Sequence, residues 1–232
     1  MNIKQLLGKE IGKLIIDGQT VGLGTGSTAV EGIKAIGERI KKEGIVVHGV
    51  PTSNASEQLA KEMGIVIEND RNKQIDWGFD GSDEVEIGTL NLLKGGGGAM
   101  TREKLIAKRC KKWIVIVDES KTVTQLGEKF SIPVEVKEDQ MFRIQENIFE
   151  SYNPLDITVR MKDDGTQFVT DFGNMIIDVK VAPGAVKDTW EYEWERIPGV
   201  VGTGLFLGGY PDEVWIGKAD GTIEKIKGPG ER

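Results

Sequence analysis

Three short segments group side chains that could move protons. Asp80-Gly81-Ser82-Asp83-Glu84 places three carboxylates within five residues. Carboxylates so crowded repel one another, so they coordinate a cation such as Mg2+, protonate, serve acid-base chemistry, or form a solvated acidic turn. Lys94 leads into Gly95-Gly96-Gly97-Gly98. Four consecutive glycines are costly in chain entropy and suit a place where backbone approaches a ligand or takes positive φ, although a flexible hairpin tip would use them too. A lysine entering such a loop can stabilise a developing oxyanion. In Thr101-Arg102-Glu103-Lys104, the carboxylate sits at an expected helix start, where it is ordinarily a favourable charge near the positive end of the dipole.

Two further segments suit an anion. Gly24-Thr25-Gly26-Ser27-Thr28 offers backbone N–H groups, hydroxyls and a helix N-terminus, which fits a phosphate, and a tight structural turn would look the same. It is no dinucleotide fingerprint, because Ala29 stands where the third glycine would be, and it lacks the lysine of a P-loop. Asp118-Glu119-Ser120-Lys121 adds one more cation, Lys121, although lone surface lysines are commonplace.

The elements that must position these groups follow from periodicity. Ile3, Leu6, Leu7, Ile11, Leu14 and Ile15 lie at helical spacing, stopped by Asp17-Gly18. Thr20 to Leu23 reads as a buried strand running into the first glycine loop, followed by a helix marked by Ala29, Ile33, Ile36 and Ile40 that ends near Gly44. Ile45 to Val50 is expected as a strand, Asn54 with Glu57 as a capped helix start, and Ile65 to Ile67 as the next strand. Ile75, Trp77 and Phe79 mark another strand, a helix begins near Thr101, and Trp113 to Val117 is a β-branched strand. This alternation implies a doubly wound, mostly parallel α/β sheet of Rossmann type, in which ligands bind beyond the carboxyl ends of the strands. Four of the loops above are expected at such ends.

Beyond Gly127 the rhythm changes to a strand over Ile132 to Val136, a polar helix around Gln140 to Phe149, and strands over Ile157 to Met161, Phe168 to Thr170 and Met175 to Val181. The reading is therefore a larger α/β domain over 1–129 and 208–232, completed by strands near Glu213 to Ile216 and Thr222 to Ile226, with a small α+β domain over 130–207. His48 is expected as a packed or edge histidine, Cys110 as a buried small side chain, and Trp190, Tyr192 and Trp194 as core or subunit packing.

A net charge of -7 disfavours nucleic acid as a main partner, while leaving room for a local basic pocket. One cysteine forms no internal disulfide, so nothing demands an oxidising compartment, and the cytoplasm is the expected location. No apolar run approaches the roughly 20 residues needed to cross a bilayer. With one histidine, a Ser-His-Asp triad or a His-rich metal site has little material, so catalysis would rest on carboxylates and lysines.

Together these segments resemble ribose-5-phosphate isomerase A. The matching stretches are Val21 to Thr28, Asp80 to Glu84, Lys94 to Ala99, Thr101 to Lys104 and Asp118 to Lys121, in family order, with Gly173 to Asp178 and Ile197 to Val201 further on. The similarity covers nearly the whole chain. The glycine loop belongs to a wider superfamily, but the lysine-glycine run followed by Thr-Arg-Glu-Lys is specific.

The resemblance implies an aldose-ketose isomerase that interconverts ribose 5-phosphate and ribulose 5-phosphate through an enediolate. It implies Glu103 as the base moving a proton between C2 and C1, best served by partial desolvation, and Lys94 as the stabiliser of the enediolate. Asp80 and Asp83 would help open the furanose ring and shuttle protons among sugar oxygens. Thr25, Gly26, Ser27, Thr28 and Lys121 would hold the phosphate and orient the sugar, with Lys4 a further candidate. Gly81, Ser82, Gly95, Gly96 and Gly97 would line the substrate. Family members need no metal or other cofactor. The expected partner is a small pentose phosphate, without nucleic acid or membrane, in a homodimer or homotetramer, and the small domain is expected to be ferredoxin-like. A CoA transferase of the same superfamily would use its glutamate as a nucleophile and fits the Lys94 and Thr101 segments poorly. A sugar-phosphate sensor would have no use for Glu103, Lys94 and both aspartates together.

Overall fold

The computed structural model describes residues 2–228. In chain order the elements are α1 (Ile3–Lys13), β1 (Thr20–Leu23), α2 (Ser27–Glu43), β2 (His48–Pro51), α3 (Asn54–Glu62), β3 (Val66–Ile67) and β4 (Trp77–Asp80). Next come β5 (Glu84–Glu86), β6 (Leu92–Leu93), α4 (Met100–Arg109), β7 (Trp113–Asp118) and β8 (Thr122–Val123). They are followed by β9 (Ile132–Val136), α5 (Met141–Tyr152), β10 (Asp156–Val159), β11 (Met175–Lys180), α6 (Trp190–Glu195), β12 (Val200–Thr203), β13 (Leu205–Phe206), β14 (Glu213–Gly217) and β15 (Ile223–Lys227). The chain forms two compact units. One holds the residues up to Ser82, Arg102–Lys121 and those from Gly209 onward, and the other holds Asp83–Thr101 and Thr122–Gly208.

The first unit is built on a seven-stranded sheet of order β15-β14-β7-β4-β1-β2-β3. Its strands pair in parallel except for the edge hairpin of β14 and β15. Burial on both faces explains the continuous apolar runs seen in β1 and β7. Asn2 caps α1 through a capping box with Gln5, and Leu7 and Ile11 of that helix join Val21, Leu23, Ile33, Ile36, Phe79 and Trp215 in one core. From β1 the chain goes outward to β2 and β3, then returns to β4 on the other side. The strand order thus reverses between β1 and β4, the position where open α/β sheets bind ligands.

The second unit contains two four-stranded sheets. The larger has order β10-β11-β9-β12 with antiparallel pairing throughout, and its β9-α5-β10-β11-α6-β12 succession is the ferredoxin-like arrangement. Ile144 and Ile148 of α5 and Trp190 and Trp194 of α6 fill its core with Val134, Val136 and Ile177. The smaller sheet, β13-β6-β5-β8, is made of strands two or three residues long. Because of it, the second unit takes in 83–101, 122–129 and 208 as well as the expected 130–207.

Local expectations change in four places. The cap of α3 is Ser53, whose side chain accepts from Ser56 N, because the chain turns one residue before Asn54. The strand expected from Ile45 begins at His48, where pairing with Thr20 starts. Phe168 to Thr170 make an isolated bridge between Val169 and Met175 instead of a strand. The helix after Gln140 is amphipathic, with Ile144 and Ile148 buried and Phe142 and Phe149 exposed. Trp190 and Trp194 stack at 5.2 Å on one face of α6, and Tyr192 points outward at 65% exposure.

Candidate active site

In the first unit, three neighbouring strand ends carry candidate residues. The loop after β1 leads through Thr25 and Gly26 into Ser27, the first residue of α2. Gly26, the N-cap, offers no side-chain hydrogen bond, so the first amides of α2 are left for another acceptor. Lys4 Nζ donates to Ser27 Oγ at 2.8 Å, which brings a cation from α1 to that turn. Thr25 Oγ1 shares a hydrogen bond with Thr52 Oγ1 at 2.7 Å and donates to Ser53 Oγ at 2.7 Å. Thr52 and Ser53 escaped the sequence reading, and the polar Thr-Ser pair closing β2 was the available signal.

Asp80 ends β4 and is fully buried. Its Oδ1 accepts from Thr25 N at 2.9 Å and from Gly81 N at 2.8 Å, tying the first loop to the neighbouring strand end. The approach is close enough to require glycine at 24, since a Cβ there would lie 2.4 Å from Asp80 Oδ1 and 2.6 Å from backbone. Lys121 closes a single 3-10 turn directly after β7, the other neighbour of β4.

In the second unit, the acidic cluster of the sequence divides. Asp83 is half-buried, and its Oδ2 accepts from Gly96 N at 2.7 Å. Glu84 is fully buried and accepts from Gly127 N at 2.7 Å, Lys129 N at 2.6 Å and Phe130 N at 2.8 Å. Asp80, Asp83 and Glu84 thus each hold backbone amides of a different segment, which relieves the crowding that their spacing suggested. Among the described residues, no three His, Cys, Asp or Glu side chains gather as a metal site.

Lys94 follows β6, with its backbone N donating to Gly204 O at 2.9 Å, and the residue is only 3% exposed. Its Nζ lies 5.8 Å from the centre of the Phe206 ring, a cation-π distance. The expectation that this loop and the Thr101 segment follow strands of the parallel sheet is corrected. The β5-β6 hairpin carries the chain out of that sheet, so Lys94 to Gly98 leaves a short antiparallel strand, and Thr101 lies inside the first turn of α4.

Glu103 lies in that first turn. A carboxylate there as a mere dipole partner would be solvated, yet Glu103 is 4% exposed while Leu105 on the same helix is 55% exposed. Burying a charge while exposing a leucine opposes the usual hydrophobic order, and such a carboxylate is a candidate for acid-base work.

The chain is similar to known proteins over nearly its whole length. Residues 48–221 match the family model of ribose 5-phosphate isomerase A (phosphoriboisomerase A). The ribose-5-phosphate isomerase A of Methanocaldococcus jannaschii is 41% identical over 228 residues, spanning 97% of this chain and 98% of that one. A solved ribose 5-phosphate isomerase from Plasmodium falciparum superposes with a TM-score of 0.92 at 30% identity, over 98% of this chain and 99% of the other. A D-ribose-5-phosphate isomerase solved in complex with phospho-erythronic acid gives 0.91 at 38% identity, over 98% and 100%.

Proposed function

Since the chain belongs to the ribose 5-phosphate isomerase A family, we propose the parts its own residues play in the interconversion of D-ribose 5-phosphate and D-ribulose 5-phosphate. The enzyme is an aldose-ketose isomerase of the non-oxidative pentose phosphate pathway, working through an enediolate. Two transfers are required: a proton moves from C2 to C1, and another moves from the C2 oxygen to the C1 oxygen.

Glu103 takes the first proton from C2 and returns it to C1, so that one carboxylate serves both directions. Lys94 holds positive charge at the oxygens of the enediolate and contributes mainly in the transition state. Asp83, half-buried and steadied by Gly96 N, helps open the furanose ring and passes protons among sugar oxygens. Asp80 supports the same steps through the loop it fixes, because its Oδ1 is already committed to two amides. The amides and hydroxyls of Thr25, Gly26, Ser27 and Thr28, with Lys4 and Lys121, take the phosphate; Gly81, Ser82, Gly95, Gly96 and Gly97 let backbone approach the sugar. These roles need only groups of the chain itself, without metal or cofactor. A relative binds phospho-erythronic acid, whose carboxylate and phosphate resemble in charge the two ends of an enediolate phosphate, and this supports the assignment.

The observation that carries the reading is a carboxylate buried in the first turn of α4, within a chain about two-fifths identical to named isomerases from end to end. The test is to follow ribulose 5-phosphate formation by purified, chelator-treated protein, with Glu103→Gln in parallel. Rapid conversion by the parent and almost none by a folded variant supports it; conversion that vanishes on chelation, or persists in the variant, refutes it.

We place the enzyme in the cytoplasm as a homodimer or homotetramer acting on a small sugar phosphate, without nucleic acid or membrane partners. No helix among the described residues is long and apolar enough to cross a membrane. Exposed Phe142 and Phe149 on α5 support association, which light scattering would measure.

A further inference from the structure

The tetraglycine loop after β6 is braced by a residue outside every motif considered so far. Arg160, directly after β10, makes a two-point ion pair with Asp178 of β11, with Nε 2.8 Å from Oδ2 and Nη2 against Oδ1. Its remaining terminal nitrogen, Nη1, donates to Gly95 O at 2.6 Å and to Gly96 O at 3.2 Å. The guanidinium also lies 5.9 Å from the Phe168 ring. Arg160 and Asp178 side chains are 15% and 20% exposed, so the fork is shielded and its geometry is held.

The peptide joining Gly95 and Gly96 is engaged at both ends. Its carbonyl accepts from Arg160, and its N–H donates to Asp83 Oδ2 at 2.7 Å. A hydrogen-bonded peptide polarised by a cation at its oxygen becomes a better donor at its nitrogen. The chain Asp178, Arg160, peptide, Asp83 is thus one continuous polar line. Gly95 has φ of +102°, in the region favouring glycine, and a Cβ at Gly96 would lie 2.8 Å from Asp83 Oδ1. A glycine run that carries so much backbone freedom needs an outside clamp to present one peptide in one orientation.

We propose that Arg160 is a positioning residue for the isomerisation, orienting Asp83 through the Gly95-Gly96 peptide. The inference rests on the reading of Asp83 as the group that passes protons among sugar oxygens. An anchored Asp178 is integral to it, because the carboxylate occupies two donors of the fork and aims the third nitrogen at the loop. Lysine would keep the charge and lose the planar fork.

The test is a double-mutant cycle on turnover of ribose 5-phosphate, using Arg160→Met, Arg160→Lys, Asp83→Asn and the Arg160→Met/Asp83→Asn pair, each checked for fold by circular dichroism. Arg160→Met and Arg160→Lys are each expected to lower kcat by about tenfold or more, as a displaced catalytic group does. KM should stay within about threefold of the parent, since the phosphate contacts are untouched. In the Asp83→Asn background, removing Arg160 should lower kcat by less than about twofold more, because the two act in series. If Arg160→Met does not fold, Arg160→Lys carries the comparison. Folded Arg160 variants with parental kcat beside an impaired Asp83→Asn overturn the inference alone, as do losses that multiply in the pair. Parental kcat in Asp83→Asn overturns the role of Asp83 and the inference with it.

Discussion

Glu84→Gln should destabilise the protein markedly although the change swaps one atom. Glu84 Oε1 accepts from the amides of Lys129 and Phe130, and Oε2 accepts from that of Gly127, all from a fully buried position. A glutamine can keep its oxygen toward the first two, but its NH2 group then meets the Gly127 N–H donor to donor. Hydrogen bonds to a charged group contribute about 1.5–3 kcal/mol and neutral ones about 0.5–1.5 kcal/mol. The variant loses one charge-assisted bond, about 2 kcal/mol, and about 1 kcal/mol of charge assistance at each of the other two. Relief of carboxylate desolvation returns part of this and leaves a net loss of about 3 kcal/mol. For a chain of this size that corresponds to a melting temperature lower by about 6–12 °C. Urea titration followed by tryptophan fluorescence, with Trp190 and Trp194 reporting from the same unit, measures it. A midpoint shift worth less than about 0.5 kcal/mol would mean instead that water or backbone adjustment replaces a buried acceptor at no cost, and that the three amides do not hold this segment.

Asp76 accepts from Thr20 N at 3.0 Å and pairs with Lys111 at 3.2 Å, and its carboxyl is held below the usual range, first by the Thr20 N–H and then by Lys111, against desolvation. A depressed carboxylate contributes stability that is present above its unfolded value of about 3.9 and lost as pH falls through the folded value. The stability gap between parent and Asp76→Asn, measured by urea titration across pH, should therefore be open at neutral pH and close in that acid window; a gap widening with acid would contradict it. Gly24→Ala drives a Cβ into Asp80 and backbone, and should cut kcat/KM by about 100-fold while circular dichroism stays parental. Lys4→Met removes the cation at Ser27 and should raise KM about tenfold for ribose 5-phosphate with little change in kcat, read from initial rates.

The parallel sheet was legible because its strands are short apolar runs ending in glycine or acidic loops, with amphipathic helices between them. The four-stranded sheet of β5, β6, β8 and β13 was not, because strands two or three residues long have no measurable periodicity. The same gap led to the misplaced setting of the Lys94 loop. The candidate site stands in the sequence as a set of residue types: carboxylates, one lysine before glycines, and a hydroxyl-rich turn. Which amide each carboxylate holds does not stand there, since Glu84 and Asp83 are neighbours in sequence and serve segments more than ten residues apart from each other. Ser53 capped α3 in place of Asn54 because both residue types suit a cap, and only the turn of the chain decides between them. Arg160 left no trace in the sequence at all, as its part depends on the pairing of β10 with β11.

Whether Glu103 carries the proton between C2 and C1 is decided by isotope exchange in deuterium oxide. Parent enzyme and folded Glu103→Gln are each given ribose 5-phosphate, and loss of the C2 proton and deuterium at C1 are followed by nuclear magnetic resonance. The parent is expected to form ribulose 5-phosphate, with deuterium at C1 in the fraction of turnovers in which the Glu103 carboxyl exchanges with solvent before returning its proton, and the variant to show neither turnover nor exchange at C2. Exchange at C2 by the variant at the parental rate would assign the base to another residue and remove Glu103 from the proton transfer.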